Sequence, residues 1–538
     1  MNSLVEKVKD FASLMSKDLW KALKENNMFT GKNYINGEWV SNYEKTYEKI
    51  NPSTQKPLGN FPLTDDDEVG RTVAIARSKF KEWKKQSRFS RSNYMDKVAQ
   101  ILERRRDEVA KIISLETGKN YNESIAEVNE AIHMAQLAFA SGRYPHGEAV
   151  SSEIAEKDAY MLRKPKGVVA IVSPFNFPIA IGAFWCAAPA IVEGNTVVLK
   201  PSEDAPMSSQ VALEIYEEAG LPAGVFNLIH GDGEAGDALV SGDVDHICFT
   251  GSAEVGQYIR QVAARSWHKT TSCELGSKSA VIVFDDANID LAVESCLASA
   301  FKLSGQRCVS SGRLIVHKDI LDEFCRKFMA KVDRIKTGNP FKTIVRSTGM
   351  PEVVAWDEIV PNEEIFYGPL INADAVKKVV GFNDKVLQDS SQSNSVKILT
   401  MGKVVGNEGY FLTPTVYVAN WGDRPYLKNE VFGPHVAIIP FNDTEDAIRI
   451  YNDTDYGLAV GIVTENFKTA RVMRDECDAG MIYWNGGSIA AESHLAFGGV
   501  KKSGNGFPSA ARTYRAVTHE ISWTVNHGES LTFPQGMK

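Results

Sequence analysis

The run GVVAIVSP at residues 167–174 opens a pattern that decides the fold, because four runs of the same kind follow it: NTVVLKPS (195–202), GVFNLIHG (224–231), DHICFTGS (245–252) and SAVIVFDD (279–286). Each is short, rich in valine, isoleucine or phenylalanine, bounded by turn-forming residues, and followed by a segment of helical texture. Strands alternating with helices of this length predict βαβ units, hence a parallel sheet with helices on both faces. The fold class is α/β. Upstream, KNYINGEWV (32–40) and YEKINPST (47–54) read as short strands with turns. DDDEVGRTVAIARSKFKEWKKQ (65–86) and MDKVAQILERRRDEVAKIISLETGK (95–119) carry helical periodicity with acidic starts. A second α/β block begins near Gly305, and the tail from Ser503 to Lys538 is mixed.

The bulk properties narrow the class further. The chain has 538 residues, 43% hydrophobic and 24% charged, enough for two to four domains with sizeable cores. A net charge of −8, with Arg and Lys scattered, argues against nucleic-acid and anionic-membrane partners. The longest uncharged apolar run, Ile179 to Val192, is too short to span a bilayer and reads as a buried helix. Seven cysteines at irregular spacing, with no CxxC pair and no Cys/His cluster of zinc spacing, point to a reducing compartment and to no structural metal. Residues 1–26 lack a secretory h-region. Val5, Val8, Phe11, Leu14, Met15, Leu19 and Leu23 instead recur at helical spacing, and Glu6, Asp10 and Asp18 spoil a targeting peptide, so an amphipathic arm is expected.

Two stretches compete as phosphate cradles. Gly231-Asp-Gly-Glu-Ala-Gly236 fits GxGxxG between a strand and a helix, but no acidic residue is well placed about twenty positions on; a tight strand-to-helix turn is the better reading. In FTGSAEVG (249–256), Gly251 permits the turn and Ser252 stands where a helix begins, so free N–H groups, the helix dipole and the hydroxyl could all meet a pyrophosphate. Ser252 as a plain N-cap is the alternative. Cys308, in SGQRCVSSG (304–312), follows a glycine turn and a cation, Arg307, that could favour its thiolate. Alone it could equally be buried filler, and Glu274 in TSCELGSKSA (271–280) an ordinary paired carboxylate.

Taken together these residues gain specificity. SPFNFP (173–178), GNTVVLKPSE (194–203), LPAGVFN (221–227), FTGS (249–252), ELGSKSA (274–280), GQRC (305–308), NEVFGP (429–434), YGLAVGI (456–462) and AFGGVKKSG (496–504) occur in that order. The order and spacing resemble the NAD(P)-dependent aldehyde dehydrogenase superfamily over roughly residues 35–510, including the interval of 34 positions from Glu274 to Cys308. The resemblance implies an aldehyde dehydrogenase-like fold: a Rossmann-like cofactor domain (31–145 with 167–275), an α/β catalytic domain (276–504) and a small β oligomerisation element (146–166 with 505–538), preceded by a helical arm (1–30). It also implies that Cys308 attacks the aldehyde carbonyl, that the Asn176 amide and the Cys308 N–H hold the oxyanion, and that Glu274 activates the hydrolytic water. Lys200 and Glu203 would hold the adenosine ribose, Gly251 and Ser252 the pyrophosphate, and Phe175, Glu430 and Phe432 the nicotinamide end. Glu203 favours NAD, since a 2′-phosphate would meet like charge, with NADP left open if this side chain swings away.

On the substrate side, Arg307 at the inner end of the tunnel, with Gly487 and Ser488 of an anchor loop, would suit a short semialdehyde acid; simple aliphatic or aromatic aldehydes are the alternative. Arg307 tying down its own loop is the competing role. Phe177, Trp185, Phe301 and Phe497 would line the tunnel. A CoA-acylating enzyme is disfavoured by the retained Glu274, and a catalytically silent homologue by intact Cys308, Glu274 and Asn176. The expected partners are a small aldehyde and further copies of the chain, as a cytoplasmic homodimer or homotetramer, through the hairpin region 143–167 and the strand EISWTV (520–525). Three departures stand out. Where many relatives have Trp-Lys-x-x-Pro, this chain has Trp185-Cys186-Ala187-Ala188-Pro189; the stretch from Pro178 to Gly194 is one residue longer; and residues 342–367 form an insert.

Overall fold

The structure, a computed structural model, describes residues 29–342, 360–531 and 533. The expected N-terminal arm therefore lies outside the described residues except for its last two, as do most of the 342–367 insert and the end of the tail.

Four of the five runs that begin at Gly167 form one sheet. Thr270–Glu274, His246–Thr250, Val168–Val172, Thr196–Lys200 and Phe226–Leu228 lie side by side in that order, all parallel. The hairpin Asn33–Ile35 and Glu38–Val40 completes the sheet antiparallel, and its Asn36-Gly37 turn has positive φ at both residues (53° and 86°), the two-residue turn whose twist matches the strands. The strands at the centre are buried on both faces, as their near-continuous apolar runs require. The helices Ala188–Glu193, Pro206–Glu218, Gly233–Ser241 and Ala253–Ala263 are the crossovers.

The fifth run, SAVIVFDD, does not join them. Its strand Ala280–Val283 is central in a second sheet of seven, ordered Val396–Thr400, Thr415–Ala419, His435–Phe441, Arg313–His317, Ala280–Val283, Ala459–Val463 and Met481–Trp484, antiparallel only at the Val396–Thr400 edge. Strand content alone does not say which sheet a run joins; here the chain crosses over between Glu274 and Ala280. A third, three-stranded antiparallel sheet pairs Thr518–Asn526 with Lys157–Pro165 and Gly147–Val150, with much of both faces exposed.

The apolar run after Pro178 is wholly buried, but it begins as a π-helix over Ala180–Ala187 before continuing as α-helix. An i→i+5 stretch of this kind is rare in proteins and frequent at functional sites. No helix among the described residues is long and apolar enough to cross a membrane.

Candidate active site

A cavity of about 470 Å³ opens beyond the carboxyl ends of the parallel strands and extends to the first loop of the second sheet. That is where an open α/β sheet leaves a crevice between diverging loops. One half is bordered by Lys200, Glu203, Gly251 and Ser252, the other by Asn176, Glu274, Cys308, Glu430 and Phe432, with Phe175 between them.

In the first half, Lys200 ends its strand 3% exposed, and its ammonium lies 3.6 Å from the half-exposed carboxylate of Glu203. Ser252 is the N-cap of helix Ala253–Ala263, its hydroxyl accepting the Val255 N–H at 3.3 Å. N-cap and cavity wall are thus compatible roles. The GxGxxG stretch is a strand-to-helix turn whose Asp232, Gly233 and Gly236 also border the cavity, and a side-chain carbon at Gly236 would stand 3.5 Å from the Lys200 stem. The residues fit a dinucleotide: a helix N-terminus at Ser252 borders the cavity, as do a buried lysine and a half-exposed carboxylate.

At the other end the chemistry concentrates. Phe432 adopts a left-handed φ of 61° and meets Phe175 edge-on at 6.0 Å. Glu430 accepts the Ser277 N–H at 2.8 Å, and burial pushes its carboxyl up to about 7. Glu274 closes its strand 5% exposed, and Oε2 is buried with no hydrogen-bond partner. Burial, chiefly, holds its pKa well above the usual carboxylate range. Asn176 donates one amide proton to the Gln306 carbonyl at 2.9 Å, leaving its second N–H uncommitted.

The loop carrying Cys308 is strained and clamped. Leu303 and Ser304 both sit in the left-handed region (φ 53° and 56°) just before Gly305, a conformation costing about 1–3 kcal/mol per residue unless its surroundings enforce it. The enforcement comes from Ser304 Oγ on the Gly368 carbonyl (2.7 Å), the Ile371 N–H on Gln306 Oε1 (3.0 Å) and the Ser277 hydroxyl on the Cys308 carbonyl. Sequence reasoning missed these positioning residues, because their partners are up to 65 positions away.

Three expectations on the substrate side are corrected. Arg307 does not lower the Cys308 pKa: its guanidinium turns to Glu123 (3.0 Å) and over the Phe177 ring. With burial as the first cause and Glu430 and Glu274 adding negative charge, the thiol is pushed up to about 12. Ser488 is fully buried, its hydroxyl donating to the Val309 carbonyl at 2.5 Å and paired with Ser311 at 2.8 Å, so it braces the loop after Cys308 and is not free to hold a substrate carboxylate. Gly487 beside it packs on the helix Ile289–Phe301 at Ser299. Phe301 is core, packed on Phe328. Phe177 packs against the same cluster as Cys308, to which Trp185 and Phe497 belong, their rings meeting tilted at 54° with centroids 4.8 Å apart. Tyr483, which sequence reasoning missed, also packs there. Lys119 and Glu127 form a fully buried ion pair beneath Phe177, and Glu127 accepts the N–H groups of Ile179 and Ala180 at the start of the π-helix.

Comparison with known proteins agrees with this geometry. Residues 39–522 match the model of the aldehyde dehydrogenase family. An aldehyde dehydrogenase of Emericella nidulans is 34% identical over 482 residues, covering 88% of this chain and 90% of its own. The alpha-ketoglutaric semialdehyde dehydrogenase of Bacillus subtilis is 32% identical over 481 residues, covering 88% and 93%. Among solved structures, betaine aldehyde dehydrogenase of Staphylococcus aureus in complex with NAD+ superposes with a TM-score of 0.85 at 26% identity, over 97% of this chain and all of the other.

Proposed function

The chain belongs to the aldehyde dehydrogenase family, and from that premise we propose that Cys308, Glu274 and Asn176 carry out an NAD-linked oxidation of an aldehyde to its carboxylic acid. The observation that carries this reading is the meeting of a thiol, a buried carboxylate with one unpartnered oxygen and a half-used amide on the wall of one cavity.

The roles follow from what each group can do. Cys308 Sγ bonds to the aldehyde carbon, and its proton passes to Glu274, which burial makes a stronger base than an exposed carboxylate. The uncommitted Asn176 N–H and the Cys308 N–H stabilise the oxyanion. NAD, when bound along Lys200, Glu203, Gly251, Ser252, Phe175, Glu430 and Phe432, supplies the hydride acceptor. Once Glu274 has released the thiol proton to solvent, it deprotonates the water that hydrolyses the thioester left on Cys308. Asn176 holds the carbonyl oxygen again, and the departing thiolate completes the cycle.

For the substrate, a short semialdehyde acid is the leading class. Support comes from Arg307 next to the nucleophile and from the semialdehyde dehydrogenase among the relatives; the Glu123 pairing limits how much charge Arg307 can offer. A panel of semialdehyde acids and simple aldehydes, assayed with NAD and NADP in parallel and with and without CoA, tests this. The reading fails if turnover requires CoA or if simple aldehydes have the higher kcat/KM.

We further assign 31–145 with 167–275 to cofactor binding, 276–504 to catalysis and 146–166 with 505–538 to assembly. The exposed three-stranded sheet, with Tyr160 and Trp523 6.0 Å apart on one face, supports a homodimer or homotetramer. Seven free thiols suit a reducing compartment, for which the cytoplasm is proposed.

A further inference from the structure

Glu274 borders two cavities. Apart from the crevice already described, it faces a second cavity of about 180 Å³ between the end of its own strand and the segment 496–508, and no other residue is common to both walls. That volume holds several waters, each occupying about 30 Å³ in the liquid. Five glycines (480, 498, 499, 504 and 506) leave the space. Gly498 decides the contact, since a Cβ there would stand 3.2 Å from Glu274 Oε1 and intrude between the carboxylate and the cavity. Ala496, Val500 and Phe507 on the wall are exposed, so the cavity opens to solvent.

Hydrolysis of the thioester needs a water at Glu274 and a way out for the proton it abstracts. NAD held along the main crevice would crowd that side of the carboxylate, whereas the second cavity reaches it from the other side. A side-chain relay is not at hand in the second cavity: among the described residues lining it, Glu274 is the one ionisable group.

We propose that the glycine-walled cavity behind Glu274 is the site through which hydrolytic water enters and the abstracted proton leaves, an inference that rests on Glu274 being the base. In the step it serves, a water oxygen bonds to the thioester carbon as Glu274 takes its proton, the C–S bond breaks to release the Cys308 thiolate, and no oxidant is consumed because the hydride has already gone. Glu274 then passes its proton to water in the second cavity and is ready for the next turnover.

Ala496→Phe and Val500→Phe narrow the mouth from two sides, and whichever variant melts within a few degrees of wild type decides. Rapid-mixing measurement of NADH formation should show a first-turnover burst of wild-type amplitude and rate, with steady-state kcat down at least fivefold and a thioester accumulating on the protein by intact mass. A kcat within twofold of wild type, or a burst that falls in step with kcat, overturns the proposal. Failure of the underlying reading looks different: Glu274→Gln would then keep the wild-type steady-state rate.

Discussion

Replacing Glu274 by glutamine keeps its shape and removes its proton-accepting power, and the structure fixes what should follow. The Cys308 thiol is pushed up to about 12 by burial and by the carboxylates of Glu430 and Glu274. At pH 8 that leaves on the order of one thiolate in ten thousand, an ionisation cost of about 5.5 kcal/mol at 1.36 kcal/mol per pH unit. Because no cation is among the groups acting on the thiol, its proton needs an acceptor at the moment of attack, and Glu274, one of whose oxygens has no hydrogen-bond partner, borders the same cavity. A positioned base contributes about 10²–10⁴-fold. In Glu274→Gln the burst of NADH should persist in amplitude but become hydroxide-driven, rising about tenfold per pH unit between pH 7 and 10. Wild type should instead level off once Glu274 is ionised. Steady-state turnover should fall by about 10²–10⁴-fold as deacylation stalls. Stopped-flow absorbance of NADH across pH gives both numbers. An unchanged steady-state rate in Glu274→Gln refutes the assignment.

Further consequences concern stability and specificity. Burial holds Glu274 protonated to higher pH in the folded chain than in the unfolded one, so stability is lost as pH rises from the ordinary carboxylate range through Glu274's raised value. Glu274→Gln should therefore melt higher than wild type at pH 8 and no differently at pH 4, and equal melting at both would contradict the burial argument. Ser488→Ala leaves the Val309 carbonyl without its donor and should cost about 1–3 kcal/mol in denaturant unfolding, while slowing the burst more than it raises KM. Arg307→Leu strands the Glu123 carboxylate and should cost about 3–5 kcal/mol. Adding Glu123→Leu should recover most of that stability but not the affinity for carboxylate-bearing aldehydes; recovery of both would show Arg307 to be structural alone. Glu203→Ala should raise the KM for NAD about tenfold, a loss of about 1.4 kcal/mol, without raising that for NADP.

Much of the site was legible because its residues sit inside motifs of fixed local geometry. Cys308, Glu274, Ser252 and Lys200 each lie at a strand end or turn that the sequence marks with glycine, proline or serine, and the structure gathers them around one cavity. The α/β class was legible for the same reason. What the sequence could not give was direction and distant pairing. Nothing in GQRC tells that Arg307 turns from the thiol to Glu123, 184 positions earlier, and Ser488 reads as a free hydroxyl until Val309 is seen beside it. Phe301 has the composition of a pocket aromatic, but its helix aims it at Phe328. The apolar run before Gly194 was legible as a buried helix, whereas its opening as a π-helix required the backbone.

The central claim is that the oxidation runs through a covalent bond to one sulfur. Acid quenching during turnover with NAD and an accepted aldehyde, followed by peptide mass analysis, should find the acyl group on Cys308 and on no other of the seven cysteines. Cys308→Ala should bind NAD as wild type does and form no NADH. An acyl group on a different residue, or appreciable aldehyde oxidation by Cys308→Ala, would contradict the account.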